Sequence, residues 1–262
     1  MRSTTTTPAN NHPLKPKKVQ YKTSLVTYID ILGFRRLLQD KTAAEISRIL
    51  RIVKTAARHD EETEADFDRL YEHFSDLTIR AVNVSSADYL LFRPSVLEYE
   101  LQSIAKVQIE LIQHHGILMR GGIAVGPLVK SWGLVYGAGM VKAYELETQA
   151  KHPRVILHDE LVRIVEQLAE QDGWAYSFGD DLIAREGAFR FVHYLRYAWS
   201  HFKEPDDLLD FLAQHKHVVE LGLSRFASEP KVSAKFNWLK RYHNSTIRSM
   251  SLPAMVSDYL ID

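Results

Sequence analysis

The sequence predicts an α+β protein in which helices cover one main sheet. Short runs of β-branched and aromatic residues, typical of strands, alternate with two long stretches whose apolar residues recur at helical spacing. The 262 residues are 45% hydrophobic and 25% charged. This composition provides enough apolar material to bury a sizeable core.

The first strand of this pattern precedes Gly33, and a long amphipathic helix follows it. Two short strands then flank a turn at Ser75 and Asp76. A second long helix over residues 96–115 is expected to end at Gly116. Gly-punctuated strands and two further helices follow. The pattern then weakens to two closing strands, so the predicted order begins β α β β α β β α β α.

Three regions are expected along the chain. Residues 1–20 are rich in Thr, Pro, Asn and Lys and are predicted to be a disordered tail. Residues 21–200 are predicted to form the main domain, and residues 201–262 a helical extension that packs on it. Within this extension, the HKH stretch at 215–217 is predicted to be solvated helix.

The composition also excludes several classes of function. Thirty-three basic residues balance 33 acidic ones, so we expect no broad surface for nucleic acid or anionic membrane. The absence of cysteine rules out disulfides, thiolate metal sites and cysteine nucleophiles. No apolar run approaches the roughly 20 residues of a membrane span, and the first residues lack a secretory signal. We therefore expect a soluble, cytoplasmic protein.

One acid, Asp30, interrupts the apolar first strand, where a carboxylate is costly unless a cation or hydrogen-bond donor meets it. A second acid, Asp76, stands at the predicted hairpin turn. If the following strand lies beside the first, the two carboxylates meet at one end of the sheet, and a divalent cation would relieve their repulsion. Oxygen ligands suit Mg²⁺ or Mn²⁺. The alternative is that Asp76 is a turn residue and Asp30 pairs with an arginine.

A phosphate site is predicted beside these acids. A tight turn leads into a helix N-terminus, whose N–H groups and dipole attract phosphate. The residues concerned are Leu32, Gly33, Phe34 and Arg35. Arg120, which begins RGGIAVG, could contact a triphosphate or pair with an acid beside the sheet. The glycines that follow it are expected to allow close packing.

Near the end of the chain, Lys235, Trp238 and Tyr242 fall on one helical face. Lys235 or Arg241 could place a cation near a phosphate. The alternative is that Trp238 and Tyr242 simply pack this helix onto the sheet.

Four segments resemble, in order and spacing, the class III nucleotidyl cyclase domain: YIDILGFRRLL, HFSDLTIRAV, ILMRGGIAVGPLV and GLVYGAGMVKAYELETQAKHPRVILHDEL. The resemblance covers about residues 21–165. It implies a ferredoxin-like sheet, a head-to-tail homodimer with active sites between subunits, and cyclisation of a nucleoside triphosphate with release of pyrophosphate. It also implies that Asp30 and Asp76, helped by the Ile31 carbonyl, hold two Mn²⁺ or Mg²⁺ ions per site.

The sequence departs from the purine cyclases of this family. Glu72 stands where a lysine is usual, and Ala138 stands where an aspartate usually reads the base. Val141 and Glu145 align with the usual asparagine and arginine. The departures leave two explanations, an active cyclase for another base or a non-catalytic binding homologue, and retention of two costly acids favours activity.

The divergent pattern resembles the pyrimidine cyclases of bacterial Pycsar anti-phage systems. This resemblance implies that cUMP or cCMP is made on infection and read by a separate cyclic-nucleotide-responsive effector, with UTP as the preferred substrate. Glu72 could accept from an N–H of uracil or cytosine, so the residues leave both bases open. Tyr136, Met140 and Tyr144 could form the walls of a base pocket.

Overall fold

The computed structural model describes residues 19–55, 69–74, 77–83, 94–131, 134–172, 179–250 and 256–262. The strands in these ranges are β1 (Lys22–Ile31), β2 (Arg69–Phe74), β3 (Leu77–Asn83), β4 (Met119–Ser131), β5 (Leu134–Tyr136), β6 (Val155–Leu157), β7 (Ile183–Glu186) and β8 (Phe189–Val192). The helices are α1 (Phe34–Asp40), α2 (Ala43–Thr55), α3 (Pro94–His115), α4 (Ala138–Ala150), α5 (Asp159–Asp172), α6 (Gly179–Leu182), α7 (Tyr194–His201), α8 (Pro205–Arg225), α9 (Pro230–Ser249) and α10 (Val256–Tyr259).

Seven of these strands form one mixed sheet in the order β2-β3-β1-β4-β6-β8-β7, and β5 pairs with β4 outside this path. β1 lies between β3 and β4 and is antiparallel to both. β2 and β3 form the predicted antiparallel hairpin. The first four strands, with the helices between them, therefore follow the ferredoxin-like βαββαβ arrangement. The α+β prediction is confirmed.

Helix α3 is fastened to one face of the sheet by a buried polar network. The Thr27 hydroxyl on β1 donates to Glu100 Oε1 at 2.6 Å, and Arg80 Nη2 on β3 donates to Glu100 Oε2 at 2.9 Å. Side chains alternate along a strand, so the neighbours of Thr27 on β1 point to the opposite face. The residues at positions 26, 28 and 30 therefore face helix α4.

Helix α4 approaches that opposite face closely, because glycines on β4 leave room for it. A Cβ on Gly122 would lie 2.4 Å from the Ala143 carbonyl oxygen and from the Leu146 Cβ. A Cβ on Gly126 would lie 2.9 Å from the Gly139 Cα. The expectation that these glycines allow close packing is confirmed. The close approach brings the C-terminal half of α4 over the ends of β1 and β4.

The long helix predicted after Gly33 is wrong in one respect, because the chain forms two helices there. α1 ends at Asp40 and α2 begins at Ala43. The Thr42 amide donates to Glu45 Oε2 at 2.8 Å, and the Glu45 amide donates to Thr42 Oγ1 at 3.3 Å. These reciprocal bonds are a capping box, which starts a new helix at this point.

The second closing strand, predicted over FRFVHYLRY at residues 189–197, is also wrong in part. β8 ends at Val192, and helix α7 begins at Tyr194. The first closing strand, predicted over WAYSFGDDLIARE at residues 174–186, is shorter than expected, because helix α6 precedes β7. Residues 173–178, and residues 1–18 of the predicted tail, lie outside the described residues.

The helical nature of the C-terminal region is confirmed, since α8 and α9 occupy most of it. The prediction that residues 215–217 are solvated is wrong for His215, which is 1% exposed. Its Nε2 is hydrogen-bonded to the Tyr194 hydroxyl at 2.8 Å, and its ring stacks on His243 at a centroid distance of 4.8 Å. Within the described ranges, no helix has the length and apolarity to cross a bilayer.

Candidate active site

Asp30 lies near the C-terminal end of β1. In the two antiparallel pairings it stands opposite Arg120 on β4 and opposite Leu77 on β3. Leu77 follows Asp76 in the sequence, and Asp76 itself lies outside the described residues. The predicted placement of the third strand beside the first is confirmed. The meeting of the Asp30 and Asp76 carboxylates stays a prediction.

Arg120 is the cation that meets Asp30. Its Nε donates to Asp30 Oδ2 at 2.8 Å and lies 2.5 Å from Glu147 Oε1 on α4. The side chains of Asp30 and Glu147 are only 13% and 6% exposed. The Nε–H is directed at Asp30, because Glu147 Oε1 has no partner in hydrogen-bond geometry among the described residues. Of the two roles left open for Arg120, pairing with an acid is present in the structure.

Glu147 is a site residue that the sequence analysis missed. Burial raises the pKa of the Glu147 carboxyl; the Arg120 charge lowers this pKa, and the neighbouring Asp30 raises it further. The buried positions of α4 are Gly139, Ala143, Leu146, Glu147 and Ala150. An acid on the apolar face of a helix could have been recognised from the sequence, just as Asp30 was recognised within its apolar strand.

Lys235 on α9 lies in the electrostatic range of the same groups. Burial and the Arg120 charge lower the pKa of its amine, whereas Asp30 and Glu147 raise it. We refer to Asp30, Arg120, Glu147 and Lys235 as the acid cluster. This cluster brings two nearly buried acids together with two basic groups. A helix of the C-terminal region thus contributes a cation to the end of β1.

The aromatic residues of α9 pack as the alternative interpretation expected. Trp238 and Tyr242 are buried, and their rings stack at a centroid distance of 5.2 Å. The Tyr242 hydroxyl is hydrogen-bonded to His193 Nδ1 at 2.8 Å. Packing and the placement of Lys235 therefore coexist on one helix.

The predicted phosphate-binding turn is partly committed to other contacts. Gly33 has a φ of 75° and precedes helix α1, which is only seven residues long. The Leu32 amide donates to the Leu118 carbonyl at 2.9 Å, and Phe34 is buried. Arg35 is exposed. Phosphate binding by these four residues stays a prediction.

The residues expected around the base do not form a closed pocket within the described part of one chain. Tyr136 on β5 and Tyr144 on α4 are 44% and 51% exposed. Val141 is exposed on α4 as well. Glu72 pairs with Ile79 across the β2–β3 hairpin, and its side chain lies outside the description. A base pocket therefore needs further groups.

The donor set at the end of β1 suits a divalent cation. Asp30 and Glu147 present carboxylate oxygens side by side, and such oxygens are the ligands that Mg²⁺ and Mn²⁺ prefer. No cluster of three or more His, Cys, Asp or Glu side chains occurs in the described ranges. A further acid is therefore needed to complete a two-ion site, and Asp76 is the predicted one.

No protein-family model and no curated protein sequence matches this chain. The solved structures that overlay on it include the adenylyl cyclase CyaB from P. aeruginosa, with 13% identity, 58% of this chain and 84% of that chain covered, and a TM-score of 0.42. The catalytic core of a rhodopsin-guanylyl cyclase with converted specificity in complex with ATPαS is 14% identical, with 67% of this chain and 98% of that chain covered and a TM-score of 0.46. An adenylate/guanylate cyclase/hydrolase from Silicibacter pomeroyi is 16% identical, with 66% of this chain and 98% of that chain covered and a TM-score of 0.43. Since these TM-scores are below 0.5, the overlays add no weight to any assignment of function.

Proposed function

We propose that this chain is a nucleotidyl cyclase that converts a nucleoside triphosphate to its 3′,5′-cyclic monophosphate and pyrophosphate. The observation that carries the proposal is Asp30, a nearly buried acid at the end of a ferredoxin-like β1, opposite the strand that follows Asp76. The ordered motifs that resemble class III cyclases supply the reaction type. In this reaction the ribose 3′-hydroxyl loses its proton to solvent and its oxygen bonds to the α-phosphorus, while the bond between the α-phosphorus and the α,β-bridging oxygen breaks and pyrophosphate leaves with that oxygen.

Asp30, Asp76 and the Ile31 carbonyl are the groups that would hold two Mn²⁺ or Mg²⁺ ions. Such ions, when bound, lower the pKa of the ribose 3′-hydroxyl and offset charge at the α-phosphate. The contribution of this chain is to hold the Asp30 carboxylate in one orientation, which Arg120 does through its Nε–H. Glu147 holds the guanidinium from the other side.

Lys235 is the cation we assign to the triphosphate. The arginine that purine cyclases carry on the helix corresponding to α4 is replaced by Glu145, so charge on the leaving pyrophosphate needs another partner. A lysine amine within electrostatic range of Asp30 and Glu147 can stabilise that charge as it develops. The C-terminal helix α9 thereby becomes part of the active site.

The substrate we propose is UTP, with CTP as the alternative. Glu72 and Ala138 replace the residues that usually read a purine, and an unpaired polar edge of adenine or guanine in a closed pocket is unfavourable. The preference for uracil rests on the Pycsar resemblance. In that setting the product cUMP is a cytoplasmic signal of phage infection that a separate effector reads.

The active form we propose is a homodimer. Apolar side chains lie exposed on β5 and α4, the elements that carry the expected base contacts. They are Leu134, Tyr136, Val141 and Tyr144, with exposed fractions between 44% and 63%. Exposed apolar side chains on neighbouring elements favour a protein interface. A second copy of the chain would also close the open base site.

One experiment identifies the activity and the substrate together. The purified chain is incubated with each of the four ribonucleoside triphosphates and Mn²⁺, and products are identified by mass. The expected result is cUMP from UTP with an equal amount of pyrophosphate. If cCMP dominates, the base assignment changes to cytosine, and if cAMP or cGMP dominates, the pyrimidine assignment is wrong.

A non-catalytic nucleotide-binding module is the second candidate, and one observation favours it. Arg120 already donates a hydrogen bond to Asp30, so the fold can accommodate this acid without any metal ion. The cost of retaining Asp30 is therefore a weaker argument for activity than it was from the sequence. This candidate predicts nucleotide binding without release of pyrophosphate under Mg²⁺ or Mn²⁺.

A further inference from the structure

We propose that the chain has a second ligand site, for a carboxylate or phosphate group, in the cleft between the α4–β6 connection and the β7–β8 turn. The cleft has a volume of about 400 Å³, which is within the range of small-molecule sites. Its lining includes Gln149, Lys151, His152, Arg154, Glu186 and Phe189. None of these residues belongs to the acid cluster, and the proposal does not depend on the cyclase activity.

Arg154 is the first reason to expect an anion there. Its side chain is 4% exposed, and Nη1 is paired with the Glu186 carboxylate. Its Nε is buried and has no hydrogen-bond partner among the described residues. The Phe189 ring lies 4.4 Å from the guanidinium carbon. A guanidinium has five N–H donors, and buried donors are nearly always paired, so an incoming oxyanion would satisfy this one.

His152 supplies a second unpaired nitrogen in the same cleft. Its Nδ1 is buried without a partner in the described part of the chain. The ring is held in place by stacking on Trp238, at a centroid distance of 5.4 Å and an interplanar angle of 4°. Two side chains in the lining of one cavity thus each carry a buried nitrogen that lacks a partner among the described residues, and packing fixes the positions of both side chains.

The charge balance of the cleft selects an anion. Lys151 and Arg154 are positive, and Arg241 acts on His152 from α9. Glu186 is the single acid in the lining, and its carboxylate already accepts from Arg154. Its two oxygens also lie 2.9 and 3.0 Å from the donor Trp238 Nε1. A cation would therefore meet net repulsion. An oxyanion with two or more acceptor oxygens fits the forked geometry of Arg154.

Lys151 also holds an unusual backbone conformation. Among the described non-glycine residues, it is the one with a positive φ, at 51°. Strained backbone of this kind clusters at functional sites. It places a lysine at the rim of the cleft, directly after the last turn of α4.

The test is direct anion binding, measured by calorimetry and by thermal unfolding at constant ionic strength. Inorganic phosphate and acetate are the two probes, and they distinguish a phosphate site from a carboxylate site. The expected result is saturable binding of at least one probe, with a rise in the melting temperature over sodium chloride. Lys151→Gly removes the amine while suiting the positive φ, and we expect it to weaken binding about three- to fivefold.

Two further variants make the test specific. Glu186→Gln keeps an acceptor for Trp238 and removes the competing charge, so it is expected to strengthen binding. Lys203→Ala, an exposed lysine before α8, is expected to leave the affinity unchanged. The proposal is overturned if neither probe binds saturably. It is equally overturned if Lys151→Gly binds as the wild type does, or if Lys203→Ala weakens binding as much as Lys151→Gly does.

Discussion

Asp30 on β1 and Glu147 on α4 share one guanidinium, since the Arg120 Nε lies 2.8 Å from the first carboxylate and 2.5 Å from the second. Both acids are nearly buried. Removing one acid leaves an ordinary ion pair, whereas removing the arginine leaves two nearly buried acids side by side without the guanidinium that both contact. Arg120 is therefore the residue on which the acid cluster depends for stability.

Replacing Arg120 by methionine should destabilise the metal-free protein by about 2–3 kcal/mol at pH 7, because two nearly buried acids lose the guanidinium between them and keep only Lys235 as a cation. Urea denaturation of the wild type and the variant measures this. Arg36→Met is the matched control, because Arg36 is 52% exposed and pairs with Asp40 at the surface. We expect the control to change stability by less than about 0.5 kcal/mol. Equal losses in the two variants would contradict the proposed role of Arg120.

Replacing Lys235 by alanine should lower the turnover of UTP about 10- to 100-fold, because a cation near the leaving phosphates is lost. Steady-state rates of pyrophosphate release provide the measurement. Lys231→Ala, an exposed lysine on the same helix, serves as the control and should keep the wild-type rate. If the two alanine variants are equally active, α9 is not part of the active site.

Acid should destabilise the fold through its buried histidines. Burial lowers the pKa of His193 and of His243 from 6.5 to about 4. The unfolded chain therefore binds protons that the folded chain cannot, and the free energy of unfolding falls as the pH drops from about 6.5 towards 4. Each group contributes about 1.4 kcal/mol per pH unit in that window. Denaturant unfolding at pH 7, 6 and 5 measures the slope.

His243→Gln provides the comparison for this pH dependence. It removes one titrating ring while leaving a side chain that can still donate to the Tyr259 carbonyl, the present partner of His243 Nε2. The variant should be less stable than the wild type at pH 7 but should lose less stability on acidification. An unchanged slope would assign the acid sensitivity to other groups.

The homodimer can be tested on the exposed face of α4. Val141→Asp should give a monomer by light scattering at micromolar concentration, because a charge would enter the proposed interface. Activity should fall while the melting temperature of the monomer stays similar. Leu221→Asp on α8 is the matched control, since Val141 and Leu221 are both 53% exposed. A wild-type chain that is monomeric and fully active would contradict the proposed dimer.

The order of strands and helices up to α5, apart from the break between α1 and α2, was predicted from the sequence pattern. Asp30 was singled out because an acid within an apolar strand is unusual. An arginine partner for Asp30 was one of the alternatives, but the sequence did not identify Arg120 as that partner, since the two residues meet only through the register of β1 with β4. Glu147 required the path of α4 over Gly122. These are contacts between distant parts of the chain, and local patterns do not specify them.

Two errors had local signals that the sequence analysis did not use. Thr42 and Glu45 have the spacing of a capping box, which marks a helix start. His215 falls on the buried stripe of α8, which comprises Leu208, Phe211, Leu212, His215, Val218, Val219 and Gly222. Helical periodicity alone placed that histidine inside.

The central claim is that acids at the end of β1 support cyclisation of a pyrimidine nucleotide. Its most direct test is Mn²⁺-dependent formation of cUMP from UTP by the wild type and by the Asp30→Asn, Asp76→Asn and Asp40→Asn variants, with folding checked by circular dichroism. Asp40 is 58% exposed and should be dispensable. The account predicts that the wild type and Asp40→Asn are equally active and that the other two variants lose at least about 100-fold in rate. Wild-type turnover by folded Asp30→Asn protein would contradict it.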